Sequence, residues 1–124
     1  MMCSNDTDRA WAAGLWDGEG CASLNTMHRP SGEYVYCYSS MGQVDRRVLD
    51  RLTEVTGIGK VYGPYARGGH PITMWRAAGY LKMLALARFL WPYLGQVKRD
   101  QFKRTLTGHL AARVPHVLPS VRKP

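Results

Sequence analysis

The chain has 124 residues, a formal net charge of +8 and 45% apolar residues. That length suits one domain, and the apolar share supports a packed core and excludes wholesale disorder. Three cysteines (Cys3, Cys21 and Cys37) are odd in number and lack a CxxC pair, which argues against a disulfide scaffold and a structural zinc site and for buried thiols in a reducing interior.

The start, MMCSNDTDR, is polar and acidic, unlike a secretory signal, and residues 1–8 are expected to form a flexible lead. Residues 9–18 (RAWAAGLWDG) are predicted helical, with Trp11, Leu15 and Trp16 at helical spacing and Gly18 near the end. Residues 20–28 and 33–41 alternate as strands around the turn Pro30-Ser31-Gly32. One face of this hairpin shows Ser23, Asn25, Met27, Tyr34, Tyr36, Tyr38 and Ser40, a ligand-facing set rather than a core set. Residues 44–57 place Val44, Val48, Leu49, Leu52 and Val55 on one helical face, stopped by Gly57. Two further strands are predicted at 58–65 and 71–77, then an apolar helix at 80–91. Residues 79–95 are too short and too interrupted, by Lys82, Arg88 and Pro92, to be a membrane span. Pro92 and Gly95 break the chain before a basic helix at 98–113 with Phe102, Leu106 and Leu110 at four-residue intervals, and residues 114–124 form a basic, Pro-containing tail, expected to be disordered.

The order helix, hairpin, helix, hairpin, helix, helix implies an α+β fold, with an antiparallel sheet carrying helices on one face. Eight of the nine acids fall in residues 1–62, whereas eleven of the seventeen Lys and Arg fall after them. Such one-sided basicity suits a polyanion, since clustered cations gain from counterion release on phosphates. His28, His70, His109 and His116 are scattered without HExxH-like spacing, and read as surface or nucleic-acid contacts. Trp11, Trp16, Trp75 and Trp91 read as core, with Trp16 also a candidate for a subunit seam.

The stretch Ala12-Ala13-Gly14-Leu15-Trp16-Asp17-Gly18-Glu19-Gly20 resembles the LAGLIDADG motif of homing endonucleases in its GLxDGEG form. It departs at Ala12 and Trp16, where the family carries leucine and isoleucine or valine. Gln-Val-Asp-Arg-Arg-Val-Leu after the second strand, Thr-Gly-Ile-Gly at the second helix end and Trp-Pro-Tyr-Leu before Lys98 extend the resemblance over residues 9 to about 110. It implies an αββαββα fold with a saddle-shaped four-stranded antiparallel sheet and a C-terminal helix, over an endonuclease-like domain at 9–113.

The motif also has a physical reading. Ala10, Gly14 and Gly18 lie four apart on one helical face, and a glycine inside a helix costs about 0.5–1 kcal/mol against alanine. Small residues at that spacing let a second helix approach closely, and its natural source is a second copy of the chain. Ala10, Gly14 and Gly18 are therefore an expected dimer stripe, the resemblance adds Ala13 and Asp17 to that interface, and the pairing sets two Glu19 carboxylates side by side. Two such acids favour a cation between them, and hard oxygens suit Mg²⁺, with Mn²⁺ as a substitute.

The resemblance implies that Glu19 is the metal-binding acid and the Gly18 carbonyl a second ligand. Asp17 serves the helix end, Gln43 lines the solvent pocket, and Lys98 stabilises charge near the phosphate, with Arg99 as the fallback. DNA contacts are expected from Ser23, Asn25, Met27, Tyr34, Tyr36, Tyr38, Lys60, Tyr62, Arg67, Arg76, Arg99 and Lys103. A nine-residue strand spans roughly 30 Å, or about nine base pairs, so a dimer would cover about eighteen to twenty nearly palindromic pairs. The expected function is a Mg²⁺-dependent, homodimeric, site-specific endonuclease that makes a staggered break in double-stranded DNA. The alternative is a non-cleaving binder on the same fold, an intron RNA maturase or a DNA-binding regulator. Intracellular location and no membrane partner are expected.

Overall fold

Asn5 opens the first helix by accepting the Asp8 N–H through its side chain at 2.8 Å. Asp6 and Asp8 occupy the first turn, where negative charge suits the helix dipole. In the computed structural model, which describes residues 5–113, α1 therefore runs Asp6–Glu19, three residues earlier than its predicted start, because the amide and acids of the lead act as a cap. Residues 1–4, with Cys3, and residues 114–124, with His116 and the predicted tail, lie outside the described residues.

The alternating segments form β1 (Cys21–Arg29) and β2 (Gly32–Gln43). Asp45 then caps α2 (Arg46–Thr56), and Gly57, in the left-handed region at φ 69°, ends it. Val44 lies before the cap and is exposed, so it does not belong to the helix face assigned to it. β3 (Lys60–Arg67) and β4 (His70–Ala78) follow, then α3 (Tyr80–Leu90), a 3₁₀ turn at Trp91–Tyr93 and α4 (Gln96–Ala111). The four strands make one antiparallel sheet in the order β1-β2-β4-β3, an α+β fold.

Cross-strand register puts Ala22, Cys37, Ser39, Met41, Trp75 and Ala77 on the covered face, all buried. Against them pack Ala12, Ala13 and Trp16 of α1, Leu49, Leu52 and Val55 of α2, Met83, Leu86 and Leu90 of α3, and Phe102 of α4. Trp16 meets Trp75 edge-on at 5.5 Å and stacks on Phe102 at 5.7 Å. A side chain at position 20 would collide with the Trp16 ring, so Gly20 is required where the chain leaves α1. Two polar groups on this face are satisfied locally, the Ser39 hydroxyl donating to the Ala77 carbonyl at 3.1 Å and the Trp75 indole N–H to that of Ile58 at 3.1 Å, whereas the buried Trp16 indole N–H has no partner among the described residues.

Several expectations change. Trp16 is a core residue rather than a seam residue, because its side of α1 faces the sheet. Cys21 is exposed, since it falls on the open sheet face; Cys37 is buried as expected. Burial pushes the Cys37 thiol up from its ordinary pKa. Leu110 is exposed while His109 is buried and stacked on Tyr80 at 5.2 Å, so the last turn of α4 presents the histidine, not the leucine, to the protein. Replacing Trp16 with alanine removes the ring that joins α1, β4 and α4. Such a truncation should cost about 3–5 kcal/mol, read as a lowered urea midpoint with an unchanged slope.

Candidate active site and nucleic-acid interface

The last bond of α1 runs from the Gly20 N–H to the Trp16 carbonyl at 2.9 Å. The carbonyls of residues 17–19 thus lack partners within the helix, and they form its negative end. No basic residue lies in that last turn. Glu19 is exposed there, and among the described residues it forms no ion pair. A carboxylate and a neighbouring free carbonyl at a helix C-terminus form a hard-oxygen, cation-favouring end, which fits a divalent ion. One chain supplies too few ligands alone: no group of three His, Cys, Asp or Glu suitable for a metal occurs among the described residues.

Two long-range contacts hold this end in place. The Asp17 carboxylate accepts the Gly95 N–H at 3.0 and 3.1 Å, which ties it to the start of α4, where no side chain of α4 supplies a cap. Lys98, in the first turn of α4, donates its Nζ to the Gly20 carbonyl. Arg99 instead donates to the Trp91 carbonyl at 2.7 Å and lies over the Trp91 ring. The geometry therefore brings Lys98, not Arg99, to the motif.

Glu19 and Gln43 line one concavity of about 430 Å³ together with Trp11, Leu15, Arg47, Val48 and Arg51. The two arginines were not singled out from the sequence. Arg51 lies 3.9 Å from the Trp11 ring centre and 3.7 Å from an Asp8 carboxylate oxygen. Arg47 lies four residues beyond Gln43, in the first turn of α2, and that spacing was the available signal. Its guanidinium contacts Asp45 at 2.8 Å and holds that carboxyl down to about 2.

The face of α1 away from the core shows Ala10, Gly14, Asp17 and Gly18, all exposed. A Cβ at Gly14 or Gly18 would meet nothing within 4 Å, so this chain's own packing does not require either glycine. Ala13, assigned to the same interface, is fully buried against the sheet and supports the helix from behind.

The sheet face opposite the helices carries predicted contact residues from both hairpins. Ser23 pairs with Tyr38, Asn25 with Tyr36 and Met27 with Tyr34, so all six share that face. Tyr34 stacks on Tyr36 at 6.1 Å, and Tyr36 meets Tyr38 edge-on at 6.4 Å. Lys60 pairs with Arg76 and Tyr62 with Met74 on the second hairpin, and Arg67 ends β3 opposite His70. Arg99 and Lys103 do not join this face: they lie at 5.1 and 5.8 Å over Trp91, on the helical side. His28 is exposed and pairs with Glu33 at 3.2 Å. No described helix is long and apolar enough to cross a membrane.

The chain matches no protein-family model and no curated protein sequence. Solved structures do share its fold. One is the homing endonuclease I-CvuI, determined on DNA in the presence of 2 mM Mg with the DNA not cleaved. It matches with a TM-score of 0.69 and 25% identity, over 83% of this chain and 68% of its own. The archaeal intron-encoded homing endonuclease I-Vdi141I, complexed with DNA, gives 0.74 and 20% over 91% and 73%. The LAGLIDADG meganuclease I-AabMI, bound to uncleaved DNA, gives 0.66 and 22% over 88% and 38%.

The Asp17 clamp yields a prediction. Asp17→Ala leaves the Gly95 N–H without its charged acceptor and should destabilise the fold by about 1–2 kcal/mol. Asp17→Asn, which keeps an acceptor, should recover part of that loss. Chemical denaturation of the three proteins measures both.

Proposed function

We propose that this chain, whose fold and motif place it in the LAGLIDADG homing endonuclease family, is a site-specific DNA endonuclease. It acts as a homodimer and makes a divalent-metal-dependent, staggered double-strand break at a long, nearly palindromic site. One observation carries the reading: two glycines lie exposed on α1 with open space beyond them, and the helix they weaken ends in the unpaired acid Glu19. A folded monomer gains nothing from that arrangement. A second α1 packed across Gly14 and Gly18 would gain close approach and would bring a second Glu19 beside the first.

Each residue then has a task. Glu19 and the Gly18 carbonyl would hold the divalent ion, which when bound activates water and stabilises the leaving oxygen. Lys98, anchored at the Gly20 carbonyl, brings a positive charge to the end of α1, where it would offset charge that grows on the phosphate. Gln43, on the same concavity as Glu19, offers a neutral amide that orders water without repelling the phosphate. The open sheet face lies in the major groove, where base edges differ and a two-stranded ribbon fits.

The test starts from a randomised duplex library, selected for binding in Ca²⁺ and then shifted to Mg²⁺. The expected result is staggered double-strand cuts at a near-palindrome, absent in Glu19→Gln although that variant still binds. Site-specific binding without cuts would instead make the protein a regulator, and no duplex preference would point to structured RNA. A second prediction concerns assembly. Gly14→Leu has room in the monomer and should fold normally, yet sediment at monomer mass and lose cleavage by at least about a hundredfold, as expected when dimer-dependent transition-state contacts worth several kcal/mol vanish.

A further inference from the structure

The open sheet face carries few charges, and they are unevenly placed. On the first hairpin the cations gather at the tip, where Arg29 lies over Tyr34 at 4.9 Å and Arg113, from just past the end of α4, lies over the same ring at 4.6 Å. On the second hairpin Arg76 occupies β4, an interior strand, in a row between Ser40 of β2 and Lys60 of β3. Its guanidinium carbon lies 5.5 Å from the ring centres of both Tyr62 and Tyr65. Its Nε is buried and unpartnered. Among the described residues the Arg76 side chain has no hydrogen bond or ion pair, and the residue opposite it is a second cation, Lys60. Like charges directly opposite on a sheet are unfavourable. The arrangement therefore asks for acceptors from outside the chain.

We infer that Arg76 reads a guanine in each half of the DNA target, through its two Nη groups on guanine O6 and N7. The inference deepens the proposed function and rests on it. Two tyrosine rings already restrict the guanidinium, so little side-chain freedom is left to lose on binding, and with Nε enclosed the fork presents the two Nη groups. Guanine offers a matching acceptor pair on its major-groove edge, and the Arg–guanine contact is the commonest specific one. A phosphate also accepts a bidentate arginine, but Arg76 lies on an interior strand, at the floor of the face, where a ribbon meets base edges rather than backbone.

The register also gives a position. Thr73 pairs with Gln43 at the catalytic end of the sheet. Arg76 is three residues further along β4, roughly 10 Å away, or about three base pairs outward along the groove. The tyrosines, Ser23, Asn25 and Met27 of the first hairpin, further out, carry no such fork; Arg29, which does, lies beyond them at the tip, over Tyr34 and with its Nε on the Met27 sulfur. A guanine preference is therefore expected at the inner position and not across the tyrosine-lined outer pairs.

The experiment selects binding sites from randomised duplexes in Ca²⁺ with the full-length wild type, Arg76→Gln and Arg76→Lys. Affinities for the selected duplex are then measured with 7-deazaguanine in place of the inner guanine. The wild type should select guanine there and lose about 5- to 150-fold on the base change, with a smaller loss on deaza substitution. Arg76→Gln should lose the preference at that position alone and become indifferent to the deaza base. Three results overturn the inference: a selected site with no guanine at the inner position; a preference unchanged in both variants; or a uniform loss across sequences with a salt dependence shallower by about one phosphate contact. If the wild type selects no duplex site, the DNA reading itself fails, and this inference falls with it. The deaza measurement uses unaltered protein, so it decides the matter even if a variant folds poorly.

Discussion

Trp16 is held between Trp75 of an interior strand and Phe102 of the last helix, and this contact fixes how α1 is rotated about its own axis. With the indole turned inward, Ala12 and Ala13 follow it into the core. Ala10, Gly14 and Gly18 must then point outward, because they occupy the opposite arc of the same helix. Glu19 emerges in the last turn beside that arc, on the side of Trp11 and Leu15. One aromatic cluster thus sets both the bare stripe and the direction of the acid, and Gly20 is the residue that lets the chain turn off beneath the ring.

The second constraint is electrostatic. The motif helix ends with unpaired carbonyls and an acid, in a chain whose remaining length is strongly basic. Asp17 and Lys98 join that end to α4 from opposite signs of charge, one through the Gly95 N–H and the other at the Gly20 carbonyl. Glu19 is left between these two anchors without a partner of its own. Such an end is ready for a cation and positioned by contacts that do not consume the acid. The open sheet face shows the same economy: its aromatic rings stack on one another, and Arg76 is enclosed by tyrosines without being neutralised.

Local pattern made most of the fold legible. Alternation in residues 20–28 and 33–41 locates the first hairpin and the shared face of Ser23, Asn25 and the three tyrosines, because side-chain direction in a strand has period two. Element boundaries were less legible where a cap decides them, as at Asn5 and Asp45. Which side of α1 faces the sheet could not be read either. Trp16 fits a seam or a core equally well until its neighbours from residues 75 and 102 are known, and Ala13 followed the same ambiguity. The site was partly legible. Glu19, Gln43 and Lys98 came from the motif and its flanks, but the choice of Lys98 over Arg99 depends on where α4 starts and on what Trp91 attracts. Arg47 is not legible, because a charge in a first helical turn looks like ordinary surface until the concavity beside Glu19 is formed.

In the proposed function one chain holds half of a site and a second copy completes it on DNA. The most direct measurement is a crystal structure of the protein on its selected duplex in Ca²⁺. Two copies per duplex are expected, with α1 helices crossing at Gly14 and Gly18 and a cation against both Glu19 carboxylates. A single copy on the duplex, or two copies that meet elsewhere and leave Glu19 in solvent, would contradict that function.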